Sequence, residues 1–163
     1  MRATFAKRFF LQFFLKIMVV AVGTTAIAEQ SDEAVRVGVA GLTHTHVHWL
    51  LGRQEQGDIK IVGIAESNAD LARRYAKQHQ FSMELVYPSL EAMLDEARPA
   101  AVMAFGTTFE HLEVVERCAP RGIHVMVEKP LAVSLEHGRE MARLAREHDI
   151  LLLTNYETTW YGS

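Results

Sequence analysis

Val35-Arg36-Val37-Gly38-Val39-Ala40-Gly41-Leu42-Thr43-His44-Thr45-His46-Val47-His48-Trp49 is the stretch from which the rest of the chain is read. An apolar run (Val35, Val37, Val39, Ala40) meets Gly41, a short polar turn follows, and a helix is expected from about Thr45. Strand, glycine turn and helix in that order begin a doubly wound α/β sheet, whose first helix presents N–H groups and a positive dipole end to a phosphate. The glycine pattern is incomplete. A G-x-G-x-x-G fingerprint needs glycine at positions 41, 43 and 46, and Thr43 and His46 occupy the last two.

Outward from this stretch, β and α patterns alternate without a break. Ile59 to Ala65 reads as a second strand ending at Glu66. Ser67-Asn68-Ala69-Asp70 has capping-box spacing ahead of a helix over 71–80. A short extended piece at 85–87 leads to Pro88-Ser89, which starts a helix ending near Arg98-Pro99. Ala100 to Phe105 is apolar throughout, as expected of a strand covered by helices on both faces. Thr107 and Glu110 form a second capping box for a helix to about Ala119, with Gly122 past its end. Ile123 to Val127, a helix from Ser134 to His148, and Ile150 to Thr154 complete the series. Such alternation predicts a mostly parallel, doubly wound, Rossmann-like sheet in a single domain over 35–155.

The chain has 163 residues, which suits one ordinary domain. Its first 28 residues carry Arg2, Lys7, Arg8 and Lys16 without an acid, then the apolar run Ile17 to Val22, then Ala26-Ile27-Ala28. This is the pattern of an export signal cut after Ala28, and Lys16 leaves too few apolar residues behind it for a comfortable membrane span. Lys7-Arg8-Phe9-Phe10-Leu11 also resembles a twin-arginine export motif. The expected mature protein is periplasmic or extracellular, with 29–34 as a linker. Removing 1–28 takes away four positive charges, so the formal net charge goes from −3 to −7. A mildly acidic domain without a basic run gives no electrostatic case for nucleic acid. Cys118 is the sole cysteine, which excludes an internal disulfide and a cysteine-based zinc cluster.

Glu66 stands 25 positions after Gly41, where a dinucleotide fold places an acid that accepts from the adenosine ribose hydroxyls. An acid there repels a 2′-phosphate, so the residue favours NAD over NADP. His44, His46 and His48 alternate with Thr45 and Val47. His-x-His pairs ligate metals, but this run names no further ligand, and no metal ligand is assigned.

Gly122-Ile123-His124-Val125-Met126-Val127-Glu128-Lys129-Pro130 is the most specific segment. With His111 in the preceding helix and Asn155-Tyr156-Glu157-Thr158-Thr159-Trp160 at the end, it resembles the Gfo/Idh/MocA oxidoreductases over roughly Val35 to Asn155. The resemblance implies hydride transfer between a nicotinamide cofactor and a polyol, sugar or related hydroxy compound. It implies Lys129 as the catalytic group, stabilising charge on the reacting oxygen or relaying its proton, with Glu128 orienting it. The implied cofactor site takes Gly38, Gly41, Thr43, His44, Glu66, Thr107, His111, Glu128 and Lys129. Gly106-Thr107-Thr108 departs from the family's usual Thr-Pro-Asn-like turn.

Family members continue into a second α/β domain that holds the substrate. Residues 156–163 read as its beginning, so this chain alone is expected to lack turnover and to self-associate through the face that domain covers. A second reading is a non-catalytic nucleotide-binding or interaction module. A third makes the His44/His46/His48 run part of a metal-dependent hydrolase.

Overall fold

The computed structural model describes residues 33–53 and 56–156. The export segment, most of the linker, and Trp160 and Tyr161 lie outside the described residues. Six parallel strands form one sheet: β1 (Val35–Ala40), β2 (Ile59–Ala65), β3 (Val86–Tyr87), β4 (Ala101–Ala104), β5 (His124–Glu128) and β6 (Leu152–Asn155). Their order is β3-β2-β1-β4-β5-β6. The order in which strands join the sheet therefore reverses between β1 and β4, and at that switch point a doubly wound sheet opens a crevice beyond its strand ends.

Five helices connect the strands: α1 (Val47–Leu51), α2 (Ala69–His79), α3 (Leu90–Ala97), α4 (His111–Cys118) and α5 (Leu135–Glu147). Leu50 and Val47 of α1 and Ala72 and Tyr75 of α2 bury against Val39, Ile64 and Phe105 on one face of the sheet. On the other, Met93 and Leu94 of α3, Val115 of α4 and Met141 of α5 bury against Val102, Val125 and Val127. Strand residues alternate between these two cores because successive side chains leave a strand on opposite faces.

Three of the described helices, α2, α3 and α5, start at side-chain caps. Ser89 Oγ accepts from Ala92 N and Ser134 Oγ from His137 N, each satisfying an orphan donor of the first turn. For α2 the cap is Asn68, whose Oδ1 accepts from Asp70 N and Leu71 N, one residue later than the capping box expected at Ser67. An Asn side chain reaches the second and third N–H groups without needing a reciprocal acid. α1 differs more. The helix expected from about Thr45 runs only from Val47 to Leu51, because His46 N donates to His44 Nδ1 and Val47 N and His48 N close turns onto His44 O and Thr45 O.

Helical cover is also incomplete on the α1/α2 side. Met103, Met126 and Leu153 form a row across β4, β5 and β6, and Leu153 is 56% exposed, as Leu151 is at 61%. Helices lie over both faces of the sheet as expected, and the exposed leucines sit at its β6 edge. Among the described residues no helix is long and apolar enough to cross a membrane.

Candidate functional site: a cleft at the β1/β4 switch point

Two strand-to-helix turns meet above the switch point. Gly41 ends β1 at φ +79°, and a Cβ there would lie 2.8 Å from both Cα and N of Gly106 in the turn after β4. Only glycine lets these backbones pass so closely while holding a left-handed φ. Beside this crossing opens a cleft of about 420 Å³, lined by Gly41, Thr43, Glu66, Ser67, Gly106 and His111 among others.

Glu66 closes the β2 end. Its Oε2 accepts from Leu42 N at 3.0 Å and its Oε1 from Asn68 N at 2.8 Å. The acid thus ties the glycine turn to β2, and each oxygen retains a lone pair for a ligand hydroxyl. His111 lies at the opposite wall, 1% exposed, with Nδ1 at 3.1 Å from Leu131 O. That bond requires Nδ1–H, and in the neutral ring this leaves Nε2 as an acceptor. It is buried with no protein partner among the described residues, and a ligand hydroxyl or amide in the cleft would satisfy it. An adenosine ribose at Glu66 and a polar ligand group at His111 therefore fit the residues present.

The glycine turn fits a pyrophosphate less well. Leu42 N is held by Glu66, His44 N donates to Phe105 O at 2.8 Å, and His46 N donates to His44 Nδ1 at 3.2 Å. Thr43 Oγ1 is 3.4 Å from Phe105 O, so the hydroxyl that was to stand in for a glycine leans on β4. Two of the implied cofactor residues have other tasks. Gly38 sits inside β1, where a Cβ would meet Met93 Cε at 2.8 Å, so its place is explained by packing of α3. Thr107 N and Oγ1 both donate to Glu110 Oε2, at 2.6 and 2.8 Å, and cap the turn into α4.

His44, Glu128 and Lys129 lie beyond the cleft, toward β5. Glu128 ends β5, is 1% exposed, and receives Asn155 Nδ2 at 2.7 Å on Oε1 and Lys129 N at 3.3 Å on Oε2. His46 Nδ1 stands 3.1 Å from both carboxylate oxygens, and its ring stacks on Trp49 with centroids 4.2 Å apart. Burial holds the His44 imidazole below the ordinary histidine range, with the Glu128 carboxylate opposing. His48 belongs elsewhere: its Nδ1 is 2.7 Å from His79 Nε2, and its ring stacks on Tyr75. The three-histidine cluster expected of a hydrolase is thereby divided. Cys118 is no nucleophile, since burial pushes its thiol up to about 12.

Sequence reasoning missed Gly106 as the partner of Gly41, and the Glu128–His46–Asn155 contacts. Asn155 was legible in principle, because parallel pairing of β5 with β6 sets it beside Glu128.

A parallel sheet with its cleft at the switch point and an acid ending β2 defines a dinucleotide-binding α/β domain. The profile of the oxidoreductase family with NAD-binding Rossmann fold (GFO_IDH_MocA) matches residues 35–156, and the chain belongs to that family. It is 29% identical over 121 residues to 1,5-anhydro-D-fructose reductase of Ensifer adhaerens, covering 74% of this chain and 36% of the relative. Myo-inositol 2-dehydrogenase of Thermotoga maritima is 25% identical over 122 residues, 75% of this chain and 36% of its own length. The crystal structure of myo-inositol 2-dehydrogenase from Lactobacillus plantarum superposes with TM-score 0.70 at 20% identity, over 80% of this chain and 39% of that one, and so shares the fold. This chain thus spans little more than a third of the length of these proteins.

Proposed function

We propose that this chain is the nucleotide half of an exported oxidoreductase that passes hydride between a nicotinamide dinucleotide, NAD before NADP, and a polyol, sugar or related hydroxy compound. The observation that carries the reading is the close pass of Gly41 and Gly106 above the switch point, with the Glu66 carboxylate at one end of the cleft. Relatives named for reduction of 1,5-anhydro-D-fructose and dehydrogenation of myo-inositol support the substrate class.

A bound nicotinamide supplies the hydride acceptor. Glu66 accepts from ribose hydroxyls and opposes a 2′-phosphate. His111 Nε2, unpartnered among the described residues, accepts a hydrogen bond from the ligand. Lys129, half-buried after β5, offers an ammonium that stabilises charge growing on a substrate oxygen or carries its proton. Its position next to Glu128, which is fixed by His46 and Asn155, holds the backbone at that point. Substrate orientation, worth roughly 7 kcal/mol or more of a barrier, is assigned to a second domain of the kind the relatives' length accommodates. Exposed apolar surface at Leu151, Leu153 and Tyr156 supports association of another domain or a second copy at the β6 edge.

The engaged N–H groups of Leu42, His44 and His46 favour a second reading, a nucleotide-binding module without catalysis, in which pyrophosphate is held loosely. Calorimetric titration of the chain with NADH and NADPH tests the first reading. Tighter binding of NADH supports it, tighter binding of NADPH refutes the role of Glu66, and equal, millimolar binding of both favours the second. Export is tested separately by mass spectrometry of the protein from a native envelope fraction. A mature N-terminus at Glu29 is expected, and an intact Met1 on a cytoplasmic protein would refute it.

A further inference from the structure

The proposed hydride transfer gives the His44 imidazole no step, and His46 stands where a phosphate turn would have glycine. We propose that His44, His46 and Glu128 form a binding site for one divalent cation of the zinc class. Each offers one ligand atom, and these atoms all lie within 4.8 Å of one another. His46 Nδ1 is 3.1 Å from either Glu128 oxygen. Two ligands about 2.1 Å from a tetrahedral zinc are themselves about 3.4 Å apart, so this hydrogen-bonded edge needs to open by only about 0.3 Å to share an ion.

Burial points the same way. Glu128 is 1% exposed, and a carboxylate taken out of water requires a compensating charge. Among the described residues its partner at ion-pair distance is His46, which carries charge only when protonated. A divalent cation between the two supplies that charge and releases the shared proton to solvent. Asn155 Nδ2 and Lys129 N hold the carboxylate from its far side, as outer donors orient a ligating carboxylate. The donor set of two imidazoles and one carboxylate, without a thiolate, is that of zinc sites which keep a fourth position for water or a substrate oxygen. His48 takes no part, being held by His79 and Tyr75.

The site makes no use of nucleotide, so its test is independent of the proposed activity. The untagged full chain is stripped with chelator and titrated with cobalt(II) and then zinc(II), with visible absorption and calorimetry as readouts. One equivalent of cobalt in a tetrahedral d–d spectrum, displaced by zinc, is expected. His44→Gln and His46→Gln should each weaken binding by at least about a hundredfold, and Asn155→Ala by about tenfold. The double variant His48→Gln, His79→Gln should bind as the parent does. Circular dichroism of each variant separates lost ligation from lost fold, and the half-buried His44 is the substitution least coupled to folding. Absence of a stoichiometric cobalt spectrum overturns the proposal and leaves a proton-sharing His46–Glu128 pair. Loss of binding in the His48, His79 variant overturns it equally, by placing the metal elsewhere.

Discussion

The turn after β1 and the turn after β4 leave the same end of the same sheet and touch at Gly41 and Gly106, yet they are built differently. The β4 turn closes on itself: Thr107 and Glu110 satisfy each other three residues apart, and the eight-residue α4 follows. The β1 turn is satisfied from a distance. Leu42 N reaches Glu66, His44 N reaches Phe105, and His46 reaches Glu128, 82 residues away. A turn closed by its own side chains is a local object. One closed by three strands exists only once the sheet has formed.

The contact between the turns is where the largest effect is expected. Gly41→Val places a Cβ 2.8 Å from the Gly106 backbone and holds a β-branched residue at φ +79°. Neither backbone can swing aside without breaking a strand end. A loss of about 3 kcal/mol or more in urea denaturation is expected, or failure to fold. A cost below about 1 kcal/mol would mean the turns part easily, and the cleft would lose its fixed floor.

Removing the local device should cost less. Thr107→Ala deletes one capping bond, so a loss of about 1 kcal/mol is expected. Thr43→Val, which removes only a 3.4 Å contact to Phe105 O, should cost less than half of that. If the Thr43 variant proved the more damaging, the β1 turn would be the more locally determined of the two.

The smallest expected effect is on α1, the helix the distal turn delivers. His48 binds His79, and burial, followed by the His48 charge, holds the His79 imidazole below its ordinary pKa. A depressed folded pKa means the unfolded chain takes up the proton first. The stability the neutral His79 ring provides is therefore complete above the unfolded value near 6.5 and is lost as pH falls through and below it. Melting temperature measured from pH 8 to 5 should decline more steeply for the parent than for His79→Gln. Identical slopes would show that the pair contributes nothing to the pH dependence.

These differences also account for what the sequence disclosed. The strand beginning at Ile59, the cap at Ser89, the Thr107–Glu110 box and the helix from Ser134 are written in residues within a few positions of one another, and each lies where local pattern places it. Gly41 and Glu66 were legible because their spacing is set by one strand–helix–strand unit. The short α1 was not. The turn ahead of it is held by Glu66 and Phe105 through Leu42 N and His44 N, and no window around Thr45 contains those partners. The packing constraint at Gly38 was illegible for the same reason, since Met93, which fills the space its side chain would take, comes from α3. The His46–Glu128 pair required knowing that the β1 turn leans across β4 to reach β5.

The central claim is that a dinucleotide lies with its adenosine end at Glu66. The most direct test is the ratio of NADH to NADPH affinity, measured by cofactor fluorescence for the parent and for Glu66→Arg. A ratio is chosen because Glu66 also anchors Leu42 N, and a loosened turn would weaken both cofactors alike. Exchanging an acid that repels the 2′-phosphate for a guanidinium that pairs with it should move the ratio toward NADPH by about a hundredfold, on the order of 3 kcal/mol. An unchanged ratio would contradict the account and place the adenosine away from the end of β2.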